Sequence, residues 1–221
     1  MKVHTVGRID CATTPHEDII VEFPNARLGW SHVLEEFGPS SEYGNSAREV
    51  VALIAGGHSL GKARLSNSGF EHAWDRSEDQ AGNSFLRHMQ NDMYQSVQNG
   101  AGNPQWNLET GGDTLLALNT DLVIAKTFEF DETTGEVTDT CKTDSRTCPN
   151  NADTESVVAE YLADEDQFAD DFADVYYKML NKGYSDGDIS GFGDASLGFN
   201  GAARSGFSFG VVGVILCYFI Q

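Results

Sequence analysis

The 221-residue sequence has few basic residues: 14 Lys and Arg stand against 34 Asp and Glu, which gives a formal net charge of −20 at pH 7. A nucleic-acid-binding protein needs a basic face that neutralises phosphates, so this composition argues against that class. The same charge disfavours binding to anionic lipid. Two interpretations remain: the charge attracts cations or basic proteins, or it serves solubility alone.

The sequence also has little sustained apolar character. Its start, MKVHTVGRID, lacks the core of a signal peptide, so we expect an intracellular protein or a segment of a longer one. One apolar run occurs at residues 205–221, after a glycine-rich stretch, and is shorter than the roughly 20 residues that span a membrane. This run fits a buried strand, a marginal tail anchor or a translated non-coding stretch, and membrane contact is expected only if it is a real anchor.

Cysteine is scarce as well, with Cys11, Cys141, Cys148 and Cys217 in the whole chain. Cys141 and Cys148 are close neighbours in the polar segment CKTDSRTCPNN, which predicts either a small disulfide-closed loop or two free thiols. Zinc is disfavoured there because the spacing is wrong and no second Cys/His pair lies nearby.

Helical patterns dominate the middle of the chain. The segment Ser46–Glu49 has the Ser-x-x-Glu pattern of a capping box and predicts a helix that runs into Gly56-Gly57-His58. Two glycines before a histidine let a bulky group approach the backbone. Further helices are expected at His32–Phe37, Asn83–Gln98, from about Thr120, at Thr154–Ala163 and at Asp164–Asn181, and strands at Val3–Val6 and Leu115–Leu118.

The segment Ala47–Trp74, AREVVALIAGGHSLGKARLSNSGFEHAW, resembles the proximal-helix signature of the plant, fungal and bacterial haem peroxidase superfamily. It is most similar to the class I branch of cytochrome c peroxidases, ascorbate peroxidases and catalase-peroxidases. The resemblance also includes Gly7-Arg8-Ile9-Asp10, Gln105-Trp106, Asn119-Thr120-Asp121 and the helices around Glu160–Phe172, and it ends at about residue 184. It implies a mainly α protein: the proximal half of the helical haem-peroxidase fold over residues 1–184, with few short strands, an acidic insertion at about 129–151, and residues 185–221 unassigned.

The resemblance also implies roles for individual residues. His58 would be the axial ligand of the iron of haem b, and Asp121 would accept a hydrogen bond from the other ring nitrogen. Trp74, sixteen residues after His58, would be the radical site, with its indole N–H directed at Asp121. Lys62 and Arg64 would reach the haem propionates. From the residues alone, His58 and Trp74 would more often be core residues and Asp121 a helix cap, and Asp121 could do both jobs.

The function implied is a haem-dependent peroxidase that reduces hydrogen peroxide with one-electron donors under oxidative stress. Asn67 stands where ascorbate peroxidases have an Arg that contacts ascorbate, so a basic cytochrome c is the favoured donor. The family's distal Arg-x-x-Trp/Phe-His helix should precede Gly7, and Arg27–His32 is a poor substitute because its His is displaced by one residue. The alternative is therefore a non-catalytic haem-binding or interaction module. His72 and His88 are expected at the surface.

Overall fold

The structure, a computed structural model, describes residues 23–182. Over this range it contains seven helices and one five-stranded sheet, and it is mainly helical, as the sequence predicts. The predicted strand Val3–Val6, the Gly7–Asp10 motif, Cys11, Cys217 and the apolar run at 205–221 lie outside the described residues. Within them, no helix has both the length and the apolarity needed to cross a membrane.

The elements follow one another in a simple order. The helices are α1 (Trp30–Phe37), α2 (Ala47–Gly57), α3 (Leu65–Ser68), α4 (Ser84–Asn91), α5 (Asn119–Leu122), α6 (Glu155–Ala163) and α7 (Glu165–Leu180). The strands are β1 (Lys62–Ala63), β2 (His72–Ala73), β3 (Gln95–Gln98), β4 (Pro104–Thr110) and β5 (Asp113–Ala117).

Several helices begin and end close to their predicted bounds. The capping box of α2 is present: the Ser46 hydroxyl accepts from the Glu49 backbone N–H at 3.3 Å, and the Glu49 carboxylate accepts from the Ser46 N–H at 2.7 Å. Helices α1, α6 and α7 also match their predictions to within about one turn. The predicted helix near Thr120 is the short α5.

The predicted helix Asn83–Gln98 is wrong in its second half. Helix α4 ends at Asn91, Asp92 has an extended backbone, and β3 follows. The four-residue apolar spacing suggested a longer helix, but Met93 is 41% exposed while Tyr94 is fully buried. Pairing of β3 with β4 satisfies the backbone better than another helical turn would, because it extends an existing sheet.

The five strands form one sheet in the order β1-β2-β5-β4-β3. The predicted strand near Leu115–Leu118 overlaps β5, whereas β3 and β4 were not predicted. Strand β4 contains the buried Gln105 and Trp106, so its polar residues obscure the alternation expected of a strand. Gly111 and Gly112, both with positive φ, form the turn that returns β4 to β5.

Helices α2, α6 and α7 are joined by packing and by one ionic cluster. A Cβ on Gly56 would lie 2.2 Å from the Phe172 ring of α7, so Gly56 allows the close approach of these two helices. The Arg48 guanidinium donates to Asp171 at 2.5 Å and to both Glu160 oxygens at 2.8 Å. This cluster fixes the helix that ends at His58.

The acidic insertion contains a disulfide-closed loop. Cys141 and Cys148 are bonded to each other, with their Cα atoms 5.2 Å apart, which selects the disulfide over the two free thiols. Two short 3-10 helices, Thr140–Thr143 and Ser145–Thr147, lie in or overlap this loop. The loop is also attached to the body of the protein, since the Ser145 N–H donates to the Tyr94 carbonyl at 3.0 Å.

Candidate functional site

His58 lies at the C-terminal end of α2, where its backbone N–H still bonds to Ile54 and Ala55. Its side chain is 13% exposed, so one edge of the ring remains accessible. A Cβ on the preceding Gly57 would meet no atom within 4 Å, in contrast to Gly56. The sequence predicts that a bulky group approaches this glycine pair. At Gly56 that group is the Phe172 ring, whereas the space beside Gly57 is open.

Asp121 holds the His58 ring. Its Oδ1 is 2.8 Å from His58 Nδ1, and its side chain is only 1% exposed. Its Oδ2 accepts from the Leu118 backbone N–H at 2.8 Å and so caps the short α5. Asp121 therefore does both jobs that the sequence left open. A carboxylate facing Nδ1 favours the tautomer with the proton on Nδ1, which leaves the lone pair of Nε2 available.

Trp74 stacks on His58. The ring centroids are 3.8 Å apart with 2° between the planes, and Trp74 is 3% exposed. The Phe85 ring meets both rings edge-on, at 6.1 and 6.2 Å. The predicted hydrogen bond from the Trp74 indole to Asp121 is not among the bonds of the described residues, in which Asp121 contacts His58 and the Leu118 N–H.

The sheet explains how residues far apart in sequence meet. Strands β1 and β2 are antiparallel, with Lys62 opposite Ala73, which returns the chain from His58 to Trp74. Strand β2 then pairs in parallel with β5 through Ala73 and Leu115. Because β5 leads directly into α5, Asp121 arrives beside His58. The short strands thus bring His58, Trp74 and Asp121 close to one another.

Lys62 and Arg64, predicted to contact propionates, are both exposed. The Lys62 ammonium pairs with the Glu78 carboxylate at 2.7 Å, so its charge is already shared. The Arg64 side chain has no hydrogen bond or ion pair within the part of the chain that the structure describes. Of the two, Arg64 has the cation that is free for an anionic group.

The segment Arg27–His32, the poor substitute for the distal helix, contacts other parts of the chain. Arg27 donates to Asn103 at 2.5 Å, and the Trp30 indole donates to Asp153 at 2.9 Å. His32 Nε2 accepts from the Asn25 backbone N–H at 3.0 Å. The structure therefore gives these side chains structural contacts.

A second histidine cluster was missed by sequence reasoning. His88, expected at the surface, is only 18% exposed: its Nδ1 is 2.6 Å from Asp92, and its Nε2 is 3.9 Å from Asp75. Asp75 is buried next to Trp74 and also accepts from the Ser84 hydroxyl and, at 2.6 Å, from the Arg76 N–H. Ser84 and His88 are four residues apart on a helix, and that spacing was the available signal.

Tyr94 adds an unusual buried hydroxyl near these carboxylates. The side chain is fully buried, and its hydroxyl has no hydrogen-bond partner among the described residues. Burial raises the pKa of Tyr94 well above its ordinary value, and the charges of Asp121, Asp75 and Asp92 raise it further. Tyr94 thus stays neutral in a region of negative charge.

The arrangement around His58 fits a metal ligand. One ring nitrogen is fixed by a buried carboxylate, the other has no partner within residues 23–182, and the space beside Gly57 is open. Histidines that bind metals usually have this second contact from a carboxylate or carbonyl, because it sets the tautomer and raises ligand basicity. The residues present therefore suit an iron porphyrin bound through His58.

Comparison with known proteins gives a consistent result. The chain is 31% identical over 136 residues to a mitochondrial cytochrome c peroxidase of Candida glabrata, covering 62% of this chain and 30% of that protein. It is 30% identical over 180 residues to the mitochondrial cytochrome c peroxidase of Yarrowia lipolytica, covering 80% and 43%. A cytosolic L-ascorbate peroxidase 1 of Oryza sativa subsp. indica is 27% identical over 180 residues, with 81% and 53% covered.

No family model matches the chain. The matched segment spans between 30% and 53% of the length of these three relatives. The similarity is nevertheless shared by both kinds of peroxidase. The curated relatives of this chain are therefore class I haem peroxidases, the branch that includes the cytochrome c peroxidases and the ascorbate peroxidases.

Proposed function

We propose that His58, Asp121 and Trp74 form the proximal side of a haem b site, and that the chain takes part in reducing hydrogen peroxide with one-electron donors. The observation that carries the proposal is the difference between the two nitrogens of the His58 ring: Nδ1 contacts Asp121 at 2.8 Å, while Nε2 has no partner among residues 23–182. The names of the relatives support the same activity.

Haem, when bound, supplies an iron that reacts with peroxide and exchanges single electrons. In this proposal His58 binds the iron through Nε2, and Asp121 orients the ring and retains the Nδ1 proton. Trp74 is the residue that gives up one electron. Its ring lies against His58, and the buried carboxylates Asp121 and Asp75 near this pair favour positive charge on it. Arg64, with Lys62, contacts the propionates.

The favoured donor is a basic protein of the cytochrome c kind. The net charge of −20 would steer such a partner to this chain and would slow the approach of an anion such as ascorbate. An intracellular location and a role in oxidative stress go with this assignment, since relatives are named mitochondrial or cytosolic.

A haemin titration of the purified chain, followed by the Soret absorption, tests the proposal. We expect saturable binding by the unmodified chain and loss of stoichiometric binding in His58→Ala, because the ligand nitrogen is removed. His72→Asn is the matched control: His72 has φ 97°, which Asn tolerates, and its variant should bind normally. Unchanged haemin affinity in His58→Ala would contradict the assignment.

The second candidate, a non-catalytic haem-binding module, is favoured by the engagement of Arg27, Trp30 and His32 in other contacts. Adding peroxide with reduced cytochrome c, and separately with ascorbate, to the loaded chain separates the two. Turnover supports the peroxidase, with cytochrome c the faster donor at low salt. Binding without turnover supports the module.

A further inference from the structure

The disulfide-closed loop Cys141–Cys148 contacts the chain at the point where α4 ends. Ser145, in the middle of the loop, is fully buried. Its backbone N–H donates to the Tyr94 carbonyl, its hydroxyl donates to the Asp92 carbonyl, and that hydroxyl accepts from the Tyr94 N–H, all at 3.0 Å. One residue of the loop therefore satisfies three backbone groups of the α4–β3 junction.

Helix α4 connects this junction to the site. The Asp92 backbone N–H donates to the His88 carbonyl at 2.9 Å, so the contacts of Ser145 continue into the last turn of the helix. At the other end of α4, Phe85 packs edge-on against both His58 and Trp74. A shift of α4 would alter the packing that holds the stacked pair.

The loop is ordered by the disulfide together with local caps. The Asp139 side chain accepts from the Cys141 N–H, and Asp144 accepts from the Arg146 N–H and guanidinium. Both cysteines are 4% exposed or less, so the bond lies between the loop and the body. A disulfide stabilises chiefly by restricting the conformations of the unfolded chain. Its removal would therefore let this loop detach from the α4–β3 junction more often.

We propose that the Cys141–Cys148 loop is a positioning element for the His58–Trp74 pair, acting through Ser145 and α4, and that the redox state of its disulfide sets the haem affinity of the site. A dithiol reductant would cleave the bond by exchange, giving two cysteine thiols and the oxidised reductant. Hydrogen peroxide would restore it, with two thiols giving the disulfide and two molecules of water. The inference rests on the haem site proposed above.

The first experiment compares the oxidised chain with the Cys141→Ser/Cys148→Ser variant, which mimics the reduced state without added thiol. We expect haemin to bind the variant about tenfold more weakly, which is a typical magnitude for energetic coupling between two sites of a protein. Hydrogen exchange without haemin should become faster at the backbone amides of residues 92–95 and in the last turn of α4. Equal haemin affinity and equal exchange would overturn the proposal.

Ser145→Ala tests the path without breaking the disulfide. It removes both hydroxyl contacts and should weaken haemin binding in the oxidised chain, with little added effect from the cysteine substitutions. Thr147→Ala is the matched control, because the Thr147 hydroxyl donates to the Asp144 carbonyl inside the loop and its loss should leave affinity unchanged. If the double-serine variant fails to fold, Ser145→Ala alone decides. A different result would reject the positioning role alone: His58→Ala abolishes haemin binding, but the loop variants bind haemin as tightly as the unmodified chain. The proposed haem site would then be retained.

Discussion

Two histidines lie near Trp74, and both are paired with carboxylates, yet their surroundings differ. His58 has one close carboxylate, Asp121, at 2.8 Å from Nδ1, and no partner at Nε2 within the described part of the chain. His88 likewise has one hydrogen-bonded carboxylate, Asp92 at 2.6 Å from Nδ1, while Asp75 lies 3.9 Å from Nε2, beyond hydrogen-bond distance.

The two pairs differ in the burial of the carboxylate: Asp121 is 1% exposed, whereas Asp92 is 45% exposed. A histidine binds a metal through a nitrogen that carries a lone pair, so it needs one nitrogen occupied and the other free. A buried carboxylate fixes the Nδ1 proton and the orientation of the ring more firmly than a carboxylate that water can reach. Our proposal of a ligand role for His58 and a packing role for His88 therefore rests on the burial of the carboxylate partner and on the open space beside Gly57.

The largest expected effect is on haemin affinity, and it comes from replacing Asp121, the carboxylate that contacts His58. In Asp121→Asn the amide can no longer hold the Nδ1 proton as a carboxylate does, so haemin affinity should fall by about 10–100-fold. Asp92→Asn is the matched control, since it changes the corresponding partner of His88 and keeps the backbone carbonyl that Ser145 contacts. Its affinity should stay within about twofold of the unmodified chain. Soret titration measures both, and equal losses would remove the distinction between the histidines.

A smaller effect, on the free energy of unfolding, is expected from replacing Asp75, the buried carboxylate near His88. Asp75 accepts from Ser84 and Arg76 and faces His88, so Asp75→Asn leaves donors poorly satisfied in a buried place. The free energy of unfolding should fall by about 1–3 kcal/mol, measured by urea denaturation. Asp79→Asn, an exposed carboxylate in the same loop, should change it by less than about 0.5 kcal/mol. No loss in Asp75→Asn would show that this cluster contributes nothing to the packing beside Trp74.

The sequence was most informative where local rules act. The capping box at Ser46 and the bounds of α7 depend on residues within a few positions of one another, and these two helices were predicted well. Strands β3 and β4 depend on pairing between distant segments. The four-residue spacing that continued from Phe85 to Met93 therefore imitated a longer helix.

The site divides in the same way. His58 and Trp74 were predicted from a segment that resembles a known family, and the sheet brings them and Asp121 together. The half-buried His88 was missed because its contacts with Asp92 and Asp75 depend on how α4 packs, although the four-residue spacing from Ser84 was an available signal. The two hydrogen bonds of Asp121, to His58 and to the Leu118 N–H, likewise depend on how α5 meets α2.

The smallest expected effect tests the packing role of His88 directly. His88→Gln keeps a polar side chain of similar length but loses the ring nitrogen that contacts Asp92 at 2.6 Å. Because Asp92 is 45% exposed, water can replace the lost contact, so the free energy of unfolding should fall by less than about 1 kcal/mol. Haemin affinity should be unchanged. A loss of haemin binding as large as in Asp121→Asn would instead show that the second histidine also supports the site, and that the burial of the carboxylate partner does not identify the ligand.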